Sequence, residues 1–470
     1  MNKGDFRKVK RAFSVIAAIL FVIGLFSFTG CSDKNRENIL KVFNAADYIA
    51  IGNNEIEGVV EEFEKFYREK INNPNFKAVY ETFDVNETAI TKIEKNKEDW
   101  DLVNVSDYAV EKLLNAKLLK TINVSKENMP NYSNISKYVI EQYEKITGMK
   151  GDTTYSVGYM WGTMGILYNK AVSETIEEDA NSWEALWDKD YHGKVLMKNS
   201  VRDSYAAALL YYHREELKNL SSDPAKQSEL IDSLMVKANE ERINNAKEAL
   251  LLQKELVDVR YEVDDGKDDI ATGNGFQLSL AWSGDAAYAM NEALEGVELD
   301  YKIPLEGSNV WFDGWITPVY GKNQAAAEAF IDFLCRPEIA LKNMEESGYS
   351  TVIATEEILQ WHQKNAIEFG IENKINTKYF FGDIAGYDTA SVLIDPVFIP
   401  DENDIKRCGI MKDFGDETEN VLRMWTIIKG TTISPYVYVI IAVIVITGAG
   451  LMILYTIKKK NKNKSRLKKK

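Results

Sequence analysis

Residues 101–114 read DLVNVSDYAVEKLL. Residues 102–105 are apolar except for Asn104. Ser106, Asp107 and Tyr108 follow them, after which apolar residues recur at helical spacing. A short buried strand that leads through polar residues directly into a helix is typical of an open α/β sheet. Such sheets bind ligands outside the carboxyl ends of their strands, so Ser106 and Tyr108 are predicted to lie at a ligand site.

The segment before this strand has the same alternation of strand and helix. Strand-like runs occupy residues 39–44 and 77–82, and an amphipathic helix pattern runs from 55 to 70 between them. The spacing of these segments is that of a β-α-β-α-β unit, which predicts an α/β domain. The residues after its first strand, 44–48, form a second predicted ligand loop, which contains Tyr48.

A long aromatic and glycine-rich run, GYMWGTMGILYN, occupies residues 158–169. We interpret it as a strand that crosses from one lobe to the next. A second α/β unit follows, in which Ser182 is the predicted N-cap of a helix that starts at Trp183. Strand-like runs follow at 194–197 and 277–282, and the latter leads into Ser283-Gly284-Asp285.

The N-terminus has the pattern of an export signal. Five basic residues and one acid occupy residues 1–11, and an uncharged apolar run follows at 12–28. The run ends in Phe-Thr-Gly-Cys, which resembles a bacterial lipobox and makes Cys31 the predicted lipidation site. The alternative is an uncleaved anchor helix in which Cys31 is an ordinary buried residue.

The C-terminus has the pattern of a membrane anchor. Residues 436–457 carry no charge and are long enough to cross a hydrocarbon core of ~30 Å. Nine Lys or Arg follow within residues 458–470, so the positive-inside rule predicts a cytoplasmic tail. Residues 32–434 are then expected outside the cytoplasm.

Composition excludes several classes of protein. The net charge is −15, and because residues 1–11 carry +4 and residues 458–470 carry +9, the remainder carries −28. Such acidity disfavours nucleic acid as a partner. Three Cys and three scattered His give little material for a disulfide framework or a metal site, and no nucleophile, zinc or phosphate-loop motif is present. We therefore expect no catalytic residue, no metal and no cofactor.

Aromatic residues stand beside carboxylates at several predicted strand ends. An elongated organic polycation suits such a set, because its ammonium groups need carboxylates and its methylene stem needs aromatic faces. The pairs are Tyr48 with Asp47, Tyr108 with Asp107, Trp282 with Asp285, Trp311 with Asp313, and Asp203 beside Arg202, and Asp264 and Asp265 extend the set.

Several of these blocks resemble the spermidine/putrescine-binding proteins of bacterial ABC polyamine importers. The resemblance spans about residues 40–350. The matching blocks are residues 80–87 (YETFDVNE), 101–108 (DLVNVSDY), 158–163 (GYMWGT), 182–187 (SWEALW), 281–285 (AWSGD), 311–313 (WFD) and 348–349 (GY).

The resemblance implies a two-lobed, type II periplasmic-binding-protein clamp, with a ligand cleft between the lobes and hinges near residues 165–169 and 304–310. It implies a polyamine ligand, putrescine or spermidine, and the subunits of an ABC permease as partners. The residues that match the family's aromatic box are Tyr48, Tyr108, Trp282, Trp311 and Tyr349, those that match its amine-binding carboxylates are Asp203, Asp285 and Asp313, and Ser106 and Asp264 match further polar contacts.

Two positions depart from the family's pattern. Residues 44–48 read NAADY, where the family has Asn-Trp followed by Ser or Thr, and Ser200 replaces an Asp of some relatives. The choice between putrescine and spermidine therefore stays open.

The terminal patterns and the resemblance together divide the chain into segments. The predicted segments are a signal peptide (1–31), the first part of lobe 1 (32–164), the first part of lobe 2 (165–303), the second part of lobe 1 (304–353), C-terminal helices of lobe 2 (354–434), a transmembrane helix (435–457) and a basic tail (458–470).

Other functions fit parts of the sequence. The altered first loop is compatible with a receptor for another small cation or metabolite. A signal, an exported domain, a single span and a short tail also fit a surface adhesion or signalling protein, for which the Asn-x-Ser/Thr sequons of the exported domain, beginning at Asn86, are favourable. The pairing of Cys335 with Cys408 is left open.

Overall fold

A computed structural model of the protein describes residues 33–52, 56–236, 238–262 and 265–430. No helix within these ranges combines the length and the apolar character that a membrane span needs. The predicted signal sequence with Cys31 and the predicted span at 436–457 lie outside the described residues, as does Asp264.

Extended segments are distributed along the whole described chain. The strands are β1 (Ile39–Ala45), β2 (Lys77–Phe83), β3 (Leu102–Ser106), β4 (Leu119–Lys120), β5 (Ile122–Asn123), β6 (Thr153–Thr154), β7 (Val157–Asn169), β8 (Val195–Lys198), β9 (Arg260–Glu262), β10 (Leu278–Trp282), β11 (Leu299–Lys302), β12 (Ser308–Pro318), β13 (Ser350–Thr351), β14 (Lys374–Ile375), β15 (Val392–Leu393) and β16 (Cys408–Gly409).

Helices fill most of the connections between these strands. The α-helices are α1 (Val59–Ile71), α2 (Asn86–Thr91), α3 (Asp107–Asn115), α4 (Lys137–Thr147), α5 (Ile176–Asp179), α6 (Val201–Tyr212), α7 (Arg214–Asn219), α8 (Pro224–Val236), α9 (Glu240–Val257), α10 (Asp265–Ala271), α11 (Ser283–Asn291), α12 (Gln324–Leu334), α13 (Pro337–Ser347), α14 (Glu356–Glu368), α15 (Lys378–Phe381), α16 (Glu402–Lys406) and α17 (Thr418–Lys429).

One large sheet organises the described residues up to Thr418, which form a single compact unit. Its strand order is β2-β1-β3-β12-β7-β10-β8-β9. Strands β1, β2 and β3 are parallel, and β10, β8 and β9 are parallel to one another. The α/β prediction is therefore confirmed. Residues 419–430 are the described part of a second unit, and all but the last of them lie in α17.

Strands β7 and β12 join the two halves of this sheet. Residues 157–163 of β7 pair with β12, whereas residues 164–168 pair with β10. All 13 residues of β7 are buried, because strands flank it on both sides and helices cover its faces. The predicted crossover at residues 158–169 is thus present as one continuous strand.

Two local predictions need a correction. The helix predicted from residue 55 begins at Val59, because the Val59 N–H donates to the Ala50 carbonyl at 2.9 Å and closes the preceding loop before the helix starts. Ser182 is an N-cap as predicted, with its Oγ accepting from the Glu184 N–H. The segment that it caps, Trp183–Trp187, is a 3-10 helix rather than an α-helix.

The halves of the sheet have separate hydrophobic clusters. The first contains Phe43 and Trp161, and the second contains Leu196 and Ala281. Phe380 belongs to the first cluster, where its ring stacks on Trp161 with centroids 5.1 Å apart. Part of the segment that we assigned to lobe 2, residues 354–434, therefore packs with lobe 1 residues, and the lobe boundaries remain predictions.

Candidate functional site

Tyr48 and Asp313 meet where the first half of the sheet adjoins β12. Tyr48 follows β1 and Asp47, whose φ of 52° turns the chain back toward the sheet. The Tyr48 hydroxyl donates to Asp313 Oδ2 at 2.7 Å, and Asp313 lies opposite Ser106 in the pairing of β12 with β3. Asp313 Oδ1 is buried and has no hydrogen-bond partner among the described residues. One oxygen of this carboxylate is therefore available to accept a hydrogen bond from a ligand.

A second buried carboxylate, that of Asp107, lies beside the first. Its oxygens accept the backbone N–H groups of Phe312 at 3.1 Å and Tyr108 at 2.6 Å. Burial raises the pKa of Asp107 to about 7, and the nearby charge of Asp313 adds to this effect. Burial also raises the pKa of Asp313 to about 6, although the hydroxyls of Ser106 and Tyr48 act in the opposite direction. A cation at this position would stabilise both ionised forms.

Tyr108 is covered by a guanidinium group. Arg202 stacks on its ring at 3.7 Å and donates to the Lys412 carbonyl at 2.6 Å. The neighbouring carboxylate of Asp203 is 8% exposed, lies in the first turn of α6, and acts electrostatically on both Tyr108 and Asp313. The sequence pattern predicts Asp203 at a strand end. The structure places it on a helix instead.

Tyr349 connects this end of the site with the opposite end. Its ring lies edge-on to Tyr48 with centroids 5.1 Å apart and edge-on to Trp311 at 5.7 Å. Gly284 permits this position, because a Cβ at residue 284 would lie 2.3 Å from the Tyr349 ring. The hydroxyl of Tyr349 donates to Asp285 Oδ1 at 2.7 Å.

Asp285 and Trp282 form the opposite end of the site together with Lys198. Asp285 is 3% exposed and forms an ion pair through Oδ2 with Lys198 Nζ. The same Nζ lies 3.9 Å from the centroid of the Trp282 ring. Lys267 Nζ lies 4.0 Å from Asp285 Oδ1, so two ammonium groups face this carboxylate.

The structure brings together every predicted site residue that it describes. Contacts or direct electrostatic interactions link the nine in one network, in which Trp282 is joined through Lys198. The nine are Tyr48, Ser106, Tyr108, Asp203, Trp282, Asp285, Trp311, Asp313 and Tyr349. Asp264 lies outside the described residues. Trp311 and Asp313 differ from expectation in lying within β12 and not at its end, because β12 continues to Pro318 in its pairing with β3 and β4.

Sequence reasoning missed Lys198. The signal for it was a lysine directly after the apolar residues Val195, Leu196 and Met197, where the strand delivers its last side chain to the same sheet edge as the predicted carboxylates. Asp107 was noted beside Tyr108 but was not included among the site residues.

The donor set of this network favours an organic cation over a metal ion. Its carboxylates are interleaved with aromatic rings, and no group of three or more His, Cys, Asp or Glu within the described ranges is arranged to hold a metal ion. Cys335 and Cys408 are both free thiols in the structure. The arrangement can hold ammonium groups at separate carboxylates and pack a hydrocarbon stem between aromatic faces.

Curated relatives of the chain are bacterial binding proteins. The spermidine/putrescine-binding periplasmic protein of Escherichia coli K12 is 26% identical over 338 residues, which cover 72% of this chain and 83% of the relative. The putrescine-binding periplasmic protein of the same organism is 28% identical over 311 residues, 65% of this chain and 75% of the relative.

Solved structures show the same fold. The substrate-binding protein of a spermidine/putrescine ABC transporter from Streptococcus pneumoniae has a TM-score of 0.57 at 23% identity, covering 83% of this chain and 98% of that one. The Tp0655 lipoprotein of Treponema pallidum has a TM-score of 0.56 at 19% identity, with 83% and 99% coverage.

The family model for bacterial extracellular solute-binding proteins matches residues 59–367, about two thirds of the chain. That range contains the two crossing strands and, apart from Tyr48, all the described members of the site network. The α/β fold described above, the shared architecture of the solved structures and this match agree, and the chain belongs to the bacterial extracellular solute-binding proteins.

Proposed function

We propose that this chain is the extracytoplasmic receptor of an ABC importer, and that it binds a polyamine between its two lobes and delivers it unchanged to the permease. The observation that carries the proposal is the network that runs from Asp313 through Tyr48 and Tyr349 to Asp285. It has a carboxylate at each end and aromatic rings between them, which is the complement of an alkyl chain with terminal ammonium groups.

The energetics of this site suit an amine receptor. A hydrogen bond between charged groups contributes about 1.5 to 3 kcal/mol, and a desolvated ammonium over an aromatic face contributes about 2 kcal/mol. A few such contacts reach the ~8 kcal/mol of micromolar binding after ordering costs. The relatives named for spermidine and putrescine binding support the same ligand class.

A ligand that contacts both halves of the sheet would favour closure of the receptor. Asp313 and Tyr48 lie on the first half, whereas Trp282 ends β10 of the second half and Asp285 lies in α11, directly after it. A ligand that bridges them stabilises the closed arrangement over the open one and shifts the population toward it. Bending where β7 and β12 pass between the halves would then provide the hinge.

The proposed receptor is held at the membrane by a lipid on Cys31, by the apolar segment at residues 436–457, or by both. Fractionation of a Cys31→Ala variant tests this. With the C-terminal segment as an anchor, the variant stays in the membrane fraction until detergent is added. Release into the aqueous fraction would rule out that segment as an anchor.

Calorimetric titration with putrescine, cadaverine, spermidine and spermine tests the ligand class. We expect micromolar or tighter binding of at least one polyamine, weakened about 10- to 100-fold by Asp313→Asn. The matched control is Asp395→Asn, which also neutralises a buried carboxylate, one that accepts the Val397 N–H away from the network. The absence of heat with all four polyamines would reject the proposal.

A further inference from the structure

Lys198 occupies the place of a ligand ammonium at one end of the site. It is the last residue of β8 and is 5% exposed. Its Nζ pairs with Asp285 and lies 3.9 Å above the Trp282 ring. A carboxylate and an aromatic face are the two groups that the proposed function assigns to a polyamine's ammonium, and here a primary ammonium of the protein contacts both.

The two ends of the site therefore differ in charge. At the Asp285 end, Lys198 and Lys267 provide two ammonium groups for one carboxylate. At the Asp313 end, the carboxylate of Asp313 interacts electrostatically with those of Asp107 and Asp203, and the guanidinium of Arg202 acts on Asp107. A ligand ammonium gains a large electrostatic stabilisation at Asp313, whereas at Asp285 it must first displace a cation of the same kind.

We propose that Lys198 determines specificity by acting as an internal competitor for the subsite of Asp285 and Trp282. The inference rests on the proposed function, because it assumes that amines bind in this network. A single ligand ammonium binds at the Asp313 end without disturbing Lys198. The second ammonium of a diamine displaces Lys198 from Asp285, and the broken ion pair cancels most of what the new contact contributes. The receptor thus discriminates weakly between a diamine and a monoamine of the same length.

Putrescine and n-butylamine measure this discrimination, because they share a four-carbon stem and differ by one ammonium group. Their dissociation constants are measured by calorimetry on the full chain in detergent, for the wild type, Lys198→Met and Lys198→Gln. The Met variant keeps the length of the side chain without charge. The Gln variant keeps a hydrogen-bond donor for Asp285. If the Met variant does not fold, the Gln variant provides the measurement.

We expect the preference for putrescine over n-butylamine to rise at least tenfold in the Lys198 variants. The matched control is Lys267→Met, which removes the same charge near Asp285 but leaves the Trp282 face covered, and it should change the preference less than threefold. An unchanged or reduced preference in the Lys198 variants overturns the inference, as does an equal rise in the Lys267 variant. If the wild type binds neither amine, the proposed function is wrong, and the inference about Lys198 falls with it.

Discussion

The Tyr48 hydroxyl donates a 2.7 Å hydrogen bond to the carboxylate of Asp313, although 265 positions separate the two residues in the chain. The contact joins the loop after β1 to β12, one of the two strands that run between the halves of the sheet. A second contact fixes the same loop, because Tyr159 on β7 donates to the Tyr48 carbonyl at 2.6 Å. Hydrogen bonds therefore hold the loop to both β7 and β12, and these contacts fix its position.

Replacement of Tyr48 with Phe removes the donor and keeps the ring. Asp313 then loses the Tyr48 hydroxyl as a hydrogen-bond donor, while the edge-on contact between the ring at position 48 and Tyr349 remains. Because a net hydrogen bond contributes about 0.5 to 1.5 kcal/mol, we expect polyamine affinity to fall about 2- to 12-fold. Calorimetry at pH 7.5 measures the change, and a loss above 100-fold would mean that Tyr48 does more than position Asp313.

Polyamine affinity should fall as the solution becomes acidic. The pKa of Asp313 is about 6 in the ligand-free site, and a protonated carboxyl group no longer attracts an ammonium. For one such group, affinity falls about tenfold between pH 7 and pH 5. Titrations at half-unit intervals of pH check this. The Asp313→Asn variant should bind weakly with a flatter pH profile, and an equally steep profile would assign the dependence to another group.

The Asp313→Asn substitution should stabilise the ligand-free protein at high pH. The folded pKa of Asp313 is raised above its unfolded value of about 3.9, so its favourable contribution is complete below pH 4 and is lost as the pH rises through 6. We expect Asp313→Asn to increase the free energy of unfolding by about 1 to 3 kcal/mol at pH 8 and to have little effect at pH 4. Urea unfolding at both pH values provides the measurement, and destabilisation at pH 8 would contradict the assignment.

Arg202 should not be replaceable by Lys. Its planar guanidinium stacks on Tyr108 at 3.7 Å and on Phe414 at 4.5 Å while it donates to the Lys412 carbonyl. A lysine keeps the charge but provides neither the planar stack nor the fork of donors. We expect both Arg202→Lys and Arg202→Met to lose about 1 to 3 kcal/mol of stability in chemical unfolding. Full retention of stability by the Lys variant would show that charge alone suffices.

Local sequence pattern was enough to predict the alternation of strands and helices and the tip of β3. It was enough because Leu102, Val103 and Val105 are buried on both faces of the sheet and the next residues begin a helix. The pattern of aromatic residues beside carboxylates also singled out Trp311 and Asp313, and the family resemblance added Tyr349. The register of Trp311 and Asp313 within β12 is contained in no local pattern.

What sequence could not provide was the pairing of distant groups. Asp107 accepts the Phe312 N–H across 205 positions of the chain, and this contact depends on which strands become neighbours. Lys198 was missed for the same reason, since a lysine at a strand end is normally solvated and only the tertiary fold gives it Asp285 and Trp282 as partners.

The contact between Gly284 and Tyr349 also determines the order in which these two positions can be substituted during evolution. Any side chain at position 284 collides with the Tyr349 ring, so residue 284 must stay glycine as long as residue 349 is tyrosine. Exchange of Tyr349 for a smaller residue has no such obstacle, and it opens position 284 for a second change. Lineages that diverge in ligand choice are expected to show a non-glycine residue at 284 only together with a smaller residue at 349.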